Sequence, residues 1–152
     1  MPMNYWLMKS EPDELSIEGL EKIKCSPWTG VRGYQARNFM RDEMQVGDGV
    51  IFYHSSVVPA GPAGIAKVSS LPYPDHTQFD KKSKYFDLKA TKEKPIWIMV
   101  DVTFVKQFPR VITREEMKKV PALSHMKLWK YVRLSITPLT KKEFDTIAKM
   151  GK

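Results

Sequence analysis

Apolar residues cluster in several short segments of the chain, and each segment is bounded by proline, glycine or charged residues. β-Branched and aromatic residues in such runs fit a pleated, half-buried surface. The pattern therefore predicts strands over residues 3–9, 50–54, 65–68, 96–105 and 132–136. The segment 96–105 alternates most regularly between its two faces, so we expect it to run through the centre of a sheet.

Helical spacing appears between these runs. Ile17, Leu20 and Ile23 recur at the helical period after Ser16, which predicts a short helix from that point. Breaker residues predict a loop over 28–33. Capping-box patterns at Thr113 and Thr140, together with apolar periodicity, predict further helices. These further helices cover residues 35–40, 113–120, 122–129 and 140–150.

Two glycine- and proline-rich regions are interpreted as connections. Gly61-Pro-Ala-Gly64 predicts a turn between two strands that pair as neighbours, and residues 71–94 predict a long surface excursion. Strands separated by short helices and loops indicate an α+β fold, a mixed β-barrel flanked by short helices. A chain of 152 residues with 42% hydrophobic content is expected to form a single domain over 1–152.

Composition limits the classes of partner and cofactor that this chain is expected to have. The formal charge of +8 favours a polyanionic partner such as nucleic acid, because positive surface attracts phosphate. The single cysteine, Cys25, cannot form an internal disulfide, and the histidines at 54, 76 and 125 lack zinc-ligand spacing. No segment has the apolar length of a membrane span, and residues 1–10 lack the pattern of a signal peptide. We therefore expect a cytoplasmic protein without metal or cofactor.

The segment 28–40 combines aromatic rings, guanidinium groups and amides. A base can stack on Trp28 or Tyr34, its edge can meet Gln35 or Asn38, and arginines can meet phosphate. The same residues also fit a loop followed by an amphipathic helix whose aromatic side chains are core. Residue types alone do not separate these interpretations.

Catalytic chemistry is disfavoured by the same patterns. His54 and Ser55 are adjacent in a predicted strand, so their side chains point to opposite faces and do not form a base–nucleophile pair. Cys25 has no neighbour that obviously activates a thiol. The glycine pairs fit neither the P-loop nor the dinucleotide pattern. The run Lys9-Ser-Glu-Pro12 after a buried strand either decorates the rim of a pocket or only pairs and caps locally.

Three motifs nevertheless follow one another in a characteristic order: Tyr5-Trp-Leu-Met-Lys-Ser-Glu-Pro12, Trp28-Thr-Gly-Val-Arg-Gly-Tyr-Gln-Ala-Arg-Asn38 and Gly47-Asp-Gly-Val-Ile-Phe-Tyr-His-Ser55. Together they resemble the EVE domain family. Shorter matches extend the resemblance over nearly the whole chain, at residues 73–75, 79–80, 95–97, 100–102 and 133–135.

The resemblance implies a PUA-like mixed β-barrel, related to ASCH and YTH domains. It also implies recognition of a modified base, such as 5-methylcytosine or 5-hydroxymethylcytosine in DNA, or of modified RNA, without catalysis. The implied partner is nucleic acid, and the implied location is the cytoplasm or nucleoid, or the nucleus of a eukaryote. The alternatives are a small-molecule or free-nucleoside binder and a weak hydrolase that uses His54 as its base.

The resemblance also implies a pocket. Its residues would be Lys9, Ser10, Glu11, Pro12, Trp28, Val31, Arg32, Tyr34, Gln35, Arg37, Asn38, Tyr53, His54, Ser55, Leu134 and Ser135. In this pocket Trp28 would stack on the base, a contact worth about 1–3 kcal/mol. The Ser10 hydroxyl and the Asn38 amide would read the edge of the base. Lys9, Arg32 and Arg37 would meet phosphate.

This chain departs from the family pattern at two positions. Gly33 stands where the family usually has asparagine, so an amide contact from that position is lost. Ser56 also stands where an asparagine is more frequent, and its side chain is shorter. Both changes concern the expected pocket, so they affect which base it prefers.

Overall fold

The computed structural model describes residues 3–152. Its strands are β1 (Tyr5–Ser10), β2 (Cys25–Pro27), β3 (Gly49–His54), β4 (Gly61–Val68), β5 (Tyr73–Pro74), β6 (Ile98–Met99), β7 (Asp101–Gln107) and β8 (Ile136–Leu139). Six of them form one mixed sheet in the order β2-β7-β4-β3-β1-β8, and β5 pairs with β6 in a separate two-stranded sheet.

Short helices flank the sheet. They are α1 (Ile17–Ile23), α2 (Tyr34–Asn38), α3 (Arg114–Lys118), α4 (Lys127–Lys130) and α5 (Lys141–Met150). A π-helical turn, Phe39–Glu43, continues α2, and 3₁₀ turns cover His76–Phe79 and Pro121–Leu123. The predicted capping boxes at Thr113 and Thr140 both form, and Ser16 caps α1 by accepting the Gly19 amide at 3.0 Å. Within residues 3–152, no helix is long and apolar enough to cross a membrane.

Strand alternation divides the core between the two faces of the sheet. On the first face, Trp6, Met8, Val50 and Phe52 pack against residues of α1 and α2. On the second face lie Leu7, Ile51 and Tyr53, which pack against residues of α3, α4 and α5. The α+β class and the flanking short helices are thus confirmed.

Strand direction gathers three chain segments at one end of the sheet. β1 runs parallel to β3, with Ser10 beside His54, and antiparallel to β8, with Met8 beside Ile136. The segments that follow β1 and β3 therefore lie next to the segment that precedes β8. Two backbone hydrogen bonds join them: Ser55 donates to the Ser10 carbonyl at 2.9 Å, and Lys9 donates to the Ser135 carbonyl at 2.8 Å.

The predicted mixed β-barrel does not close. The sheet is open, with β2 and β8 as its two edges among the described residues. The predicted strand 96–105 is also divided, because Ile98–Met99 pairs with β5 whereas Asp101–Gln107 pairs with β2 and β4. β4 and β3 occupy the centre, and β7 lies next to the edge strand β2.

The bounds of the last strand and the conformation of residues 61–64 also differ from the prediction. The last strand is Ile136–Leu139, so residues 132–135 form a loop instead of a strand. Gly61 and Gly64 lie inside β4 and do not form a turn. A Cβ atom at Gly64 would collide with the Lys106 carbonyl oxygen, and one at Gly61 would collide with the Ile112 carbonyl oxygen. These glycines permit close backbone approach within the sheet. β3 and β4 are antiparallel neighbours, as predicted.

Candidate functional site

A cavity of about 710 Å³ opens at the end of the sheet where β1, β3 and β8 meet. Its volume is in the usual range for ligand sites, about 300–1,000 Å³. Most lining residues come from four segments of the chain: the end of β1 and the following turn, the loop before α2, the start of the β3–β4 loop, and the loop before β8. Residues of α1, β2 and α2 complete the lining. The lining residues are Lys9, Ser10, Glu11, Glu14, Leu15, Ile23, Ser26, Pro27, Trp28, Thr29, Gly30, Val31, Arg32, Gly33, Ala36, Ser55, Ser56, Val132, Arg133, Leu134 and Ser135.

The end of β1 supplies polar groups to the cavity. The Ser10 hydroxyl donates to the Leu15 carbonyl at 2.7 Å, so its oxygen still has a lone pair to accept from a ligand. The Lys9 ammonium donates to the Val132 carbonyl at 3.0 Å. Burial lowers the pKa of Lys9, and the nearby positive charge of Arg114 lowers it further. Lys9 is therefore a cation held at a defined place on the rim.

Trp28 forms part of the apolar floor. Its side chain is only 5% exposed and packs in the first-face core with Val31 and Ala36. The ring meets Phe52 edge-on, with centroids 5.4 Å apart. This burial contradicts the predicted role of Trp28 as an open stacking surface, because little of either ring face is accessible. The core interpretation of this aromatic residue is the one the structure favours.

Arg32 lines the cavity, but its guanidinium group is fully engaged. Nε donates to the Tyr85 carbonyl, NH1 to the Val31 carbonyl and Asp75, and NH2 to Thr77 and again to the Tyr85 carbonyl, all between 2.7 and 3.2 Å. A guanidinium group has five N–H donors, and each one has a partner here. The arrangement contradicts the predicted phosphate role, and Arg32 instead fixes the loop before α2 to the excursion 71–94.

Asp75 is the buried acceptor in this arrangement. It accepts from the Gly30 amide at 2.8 Å and from the Thr77 amide at 2.8 Å, in addition to Arg32. Burial raises the pKa of Asp75, but these hydrogen bonds and the Arg32 charge outweigh burial, so the net pKa lies below the ordinary value. The carboxylate holds the Gly30 backbone, and with it one wall of the cavity.

Most of α2 faces away from the cavity, and only Ala36 contributes to the lining. Tyr34 stacks on Trp97 with ring centroids 5.0 Å apart, and Gln35 is exposed. Arg37 lies over the Tyr34 ring and donates to the Asn38 side-chain oxygen at 2.8 and 3.0 Å. The structure does not bring these four predicted residues to the cavity, since each faces Trp97, solvent or one another instead of the side on which Ala36 lies.

The side chains of Tyr53 and His54 at the end of β3 lie on opposite faces of the sheet. Tyr53 belongs to the second-face core, on the side opposite the cavity floor. The His54 side chain is buried on the first face, where its Nε2 atom accepts the Ile17 amide at 3.1 Å. Burial lowers the pKa of His54, with a smaller opposing effect from Glu18. His54 thus caps α1 and is not free to act as the base of a hydrolase. Tyr53, His54 and Pro12 do not line the cavity.

Several lining residues were missed by the sequence interpretation. Glu14 lies on the rim, where it accepts the Tyr85 hydroxyl at 2.6 Å and pairs with Lys84 at 2.8 Å. Arg133 and Val132 were placed in a strand but form a loop beside Lys9. The proline and glycine flanks of 26–30 were a usable signal, because such breakers often mark loops that carry binding residues. No local sequence pattern indicates that the excursion contacts Glu14.

The rim is mixed in charge. Lys9 and Arg133 supply positive charge, and Glu11 and Glu14 supply negative charge, of which Glu14 is neutralised by Lys84. Within the described range 3–152, no group of histidine, cysteine, aspartate and glutamate side chains is arranged to hold a metal ion. The cavity therefore combines an apolar floor, hydroxyl groups and a rim of mixed charge that includes two cations. This composition suits a planar polar ligand attached to phosphate.

Comparison with known proteins gives the family. The EVE domain model matches residues 4–150. Thymocyte nuclear protein 1 of Mus musculus is 42% identical over 95% of this chain and 72% of that protein. A solved hypothetical protein from Leishmania major is 50% identical, with a TM-score of 0.96, and covers 99% of this chain and 95% of its own. The human THYN1 protein, solved in complex with 5-methylcytosine containing DNA, is 39% identical, with a TM-score of 0.91 and 98% of each chain covered.

Proposed function

Because the chain belongs to the EVE domain family, we propose that it binds DNA through a modified base, such as 5-methylcytosine, without catalysing a reaction. The base enters the cavity at the end of β1, and the sugar-phosphate backbone crosses the rim beside Lys9 and Arg133. The observation that carries this proposal is the cavity itself. It lies in a chain whose fold matches that of a relative solved with 5-methylcytosine containing DNA.

The lining groups suit the parts of a nucleotide. Val31, Ala36 and Trp28 form an apolar floor for the base. The hydroxyl groups of Ser10 and Ser55 provide hydrogen bonds toward its edge. Burial of an added methyl group contributes only about 0.8 kcal/mol. Selectivity for the modification therefore depends on the shape of the cavity and on hydrogen bonding around it.

Binding, and not hydrolysis, is favoured by the position of His54. Its Nε2 lone pair is occupied by the Ile17 amide, and the cavity lining contains neither histidine nor cysteine. General-base catalysis needs a base within hydrogen-bond reach of the proton that it removes. The described lining residues offer carboxylates and hydroxyls, but no histidine base beside a nucleophile.

The test is a titration of labelled oligonucleotides that differ at one cytosine, which is unmodified, 5-methylated or 5-hydroxymethylated, in DNA and in RNA. We expect tighter binding to at least one modified DNA than to the unmodified one. Equal affinity for all of them would contradict base recognition. Competition by the free nucleoside at an affinity similar to that of the oligonucleotide would favour a nucleoside binder, as would weak dependence on salt.

A matched pair of variants connects binding with the cavity. Gly33 lines the cavity and has open space around the position of a Cβ atom, so we expect Gly33→Leu to fold and to fill part of the mouth. Thr91→Leu adds a leucine to an exposed position on the excursion, outside the lining. We expect only Gly33→Leu to reduce the preference for modified DNA.

A further inference from the structure

The loop between β3 and β4 carries an unusual apolar tip. The Val58 side chain is 99% exposed, Val57 is 39% exposed, and Pro59 is also exposed. Scattered exposed apolar residues are normal on protein surfaces. Here three are consecutive and directly follow Ser55 and Ser56, which line the cavity. The sequence contains no charged residue between Ser55 and Lys67.

Both ends of this loop are fixed. Ser55 is hydrogen-bonded through its amide to the Ser10 carbonyl at 2.9 Å. At the other end, Gly61 packs so closely on the Ile112 carbonyl that no side chain fits there. The tip of residues 57–59 is therefore held out from the body of the protein beside the cavity and does not fold back onto the core.

We propose that the tip of residues 57–59 is a wedge that enters the DNA base stack at the place left by the base in the cavity. The inference rests on the proposed function. A base in a duplex reaches a protein cavity only after it has rotated out of the stack, which costs unpairing and unstacking energy. Apolar side chains inserted between base steps are a known way to stabilise such deformed DNA.

The chain distance fits this geometry. Val58 follows Ser56 by two residues, so their Cα atoms are at most about 7 Å apart. That distance is about two base-pair steps of 3.4 Å. A base held beside Ser55 and Ser56 therefore leaves its gap within reach of Val58. The absence of charged residues in this loop also allows the tip to leave water at low cost.

The experiment compares two duplexes that contain one 5-methylcytosine. In the first it is paired with guanine, and in the second it stands opposite an abasic site, which lowers the cost of extrusion. Val58→Ala is expected to weaken binding to the paired duplex about ten-fold, from the loss of apolar burial, and binding to the abasic duplex less than about two-fold. Val58→Leu should keep wild-type affinity for both.

Leu88→Ala is the matched control, because Leu88 is 85% exposed but lies on the excursion, outside the cavity lining. It should bind both duplexes as the wild type does. A 2-aminopurine next to the 5-methylcytosine should brighten with the wild type and less with Val58→Ala. An equal loss on both duplexes, or no loss, would overturn the wedge. The same two duplexes with unmodified cytosine test the proposed function separately: if the wild type binds them as tightly as the methylated ones, the proposed function fails instead.

Discussion

The indole ring of Trp28 packs edge-on against the ring of Phe52, with centroids 5.4 Å apart and ring planes at 79°. Phe52 is fully buried on β3, so the pair joins the loop before α2 to the centre of the sheet. Aromatic pairs in this geometry are favourable beyond the area that they bury. Trp28 therefore supports the floor of the cavity from within the core.

Substitution of Trp28 should change stability first. Trp28→Ala removes a buried aromatic side chain and is expected to lower the free energy of unfolding by about 3–5 kcal/mol. Trp28→Phe should cost less, because it keeps an aromatic ring beside Phe52. Urea denaturation followed by circular dichroism measures both. Unchanged stability of Trp28→Ala together with lost DNA binding would show that Trp28 is a contact surface for the ligand.

Substitution of Arg32 is also expected to lower the stability of the fold. Arg32→Lys keeps the charge but cannot replace five directed hydrogen bonds, so we expect a loss of about 2–3 kcal/mol in the free energy of unfolding. Arg41→Lys is the control, because the Arg41–Asp42 pair is exposed and its substitution should leave stability unchanged. The salt dependence of DNA binding should be the same for Arg32→Gln, which removes the charge, and the wild type. A smaller slope would contradict the structural role.

Local patterns predicted the elements of this fold better than their assembly. The capping boxes at Thr113 and Thr140 form as expected, since their hydrogen bonds depend on residues within one helical turn. Closure of the sheet depends on which strands meet across the chain, and no short pattern encodes this. The run 96–105 has strand periodicity throughout, yet its two parts pair with different partners.

The candidate site shows the same limit. Lys9 and Ser10 reach the cavity because they end a strand that the sequence located correctly. Arg32 carries the residue type of a phosphate contact, but Asp75 and the Tyr85 carbonyl, more than forty residues away, take up its donors. Residue type gives the chemistry that is available, whereas long-range partners decide whether it remains free.

The buried His54 side chain should make stability depend on pH. Burial lowers the pKa of His54 in the folded protein, and the Ile17 amide requires the neutral ring as acceptor. The unfolded chain binds a proton near pH 6.5 and the folded chain only at lower pH, so stability is full above about pH 6.5 and falls below it. His54→Gln should flatten this decline in urea titrations between pH 7 and 5, whereas His76→Gln should not, because His76 is exposed. A decline of the same steepness in both variants would assign it to other groups.

Substitution of Gly33 is expected to change the specificity of DNA binding. It has extended backbone angles, no neighbour within 4 Å of a Cβ position, and a place both in the cavity lining and at the N-cap of α2. Gly33→Asn should therefore fold, and the cap should gain a few tenths of a kcal/mol. Its amide would add a donor and an acceptor beside the ligand, so the ratio of affinities for modified and unmodified DNA should change. Gly33→Ala, which adds no polar group, is the control. Identical ratios for the two variants would show that this position does not contact the base.

Lys9 is expected to contribute to affinity and not to selectivity. Its ammonium is held on the rim by the Val132 carbonyl and lies 5.9 Å from the centre of the Tyr53 ring. Burial lowers the pKa of Lys9, and the positive charge of Arg114 lowers it further. A phosphate placed there would stabilise the ammonium charge against both effects. Lys9→Met keeps the apolar stem and removes the charge.

We expect Lys9→Met to weaken binding to modified and unmodified DNA by the same factor. The slope of log K against log salt concentration should fall by about one, since one phosphate contact is lost. Lys89→Met is the matched control, because Lys89 is exposed on the excursion and does not line the cavity. The same slope for both variants would mean that no phosphate lies beside Lys9. A change in the ratio of affinities without a change in slope would instead place Lys9 against the base itself, because only a base contact distinguishes the two DNAs at constant phosphate charge.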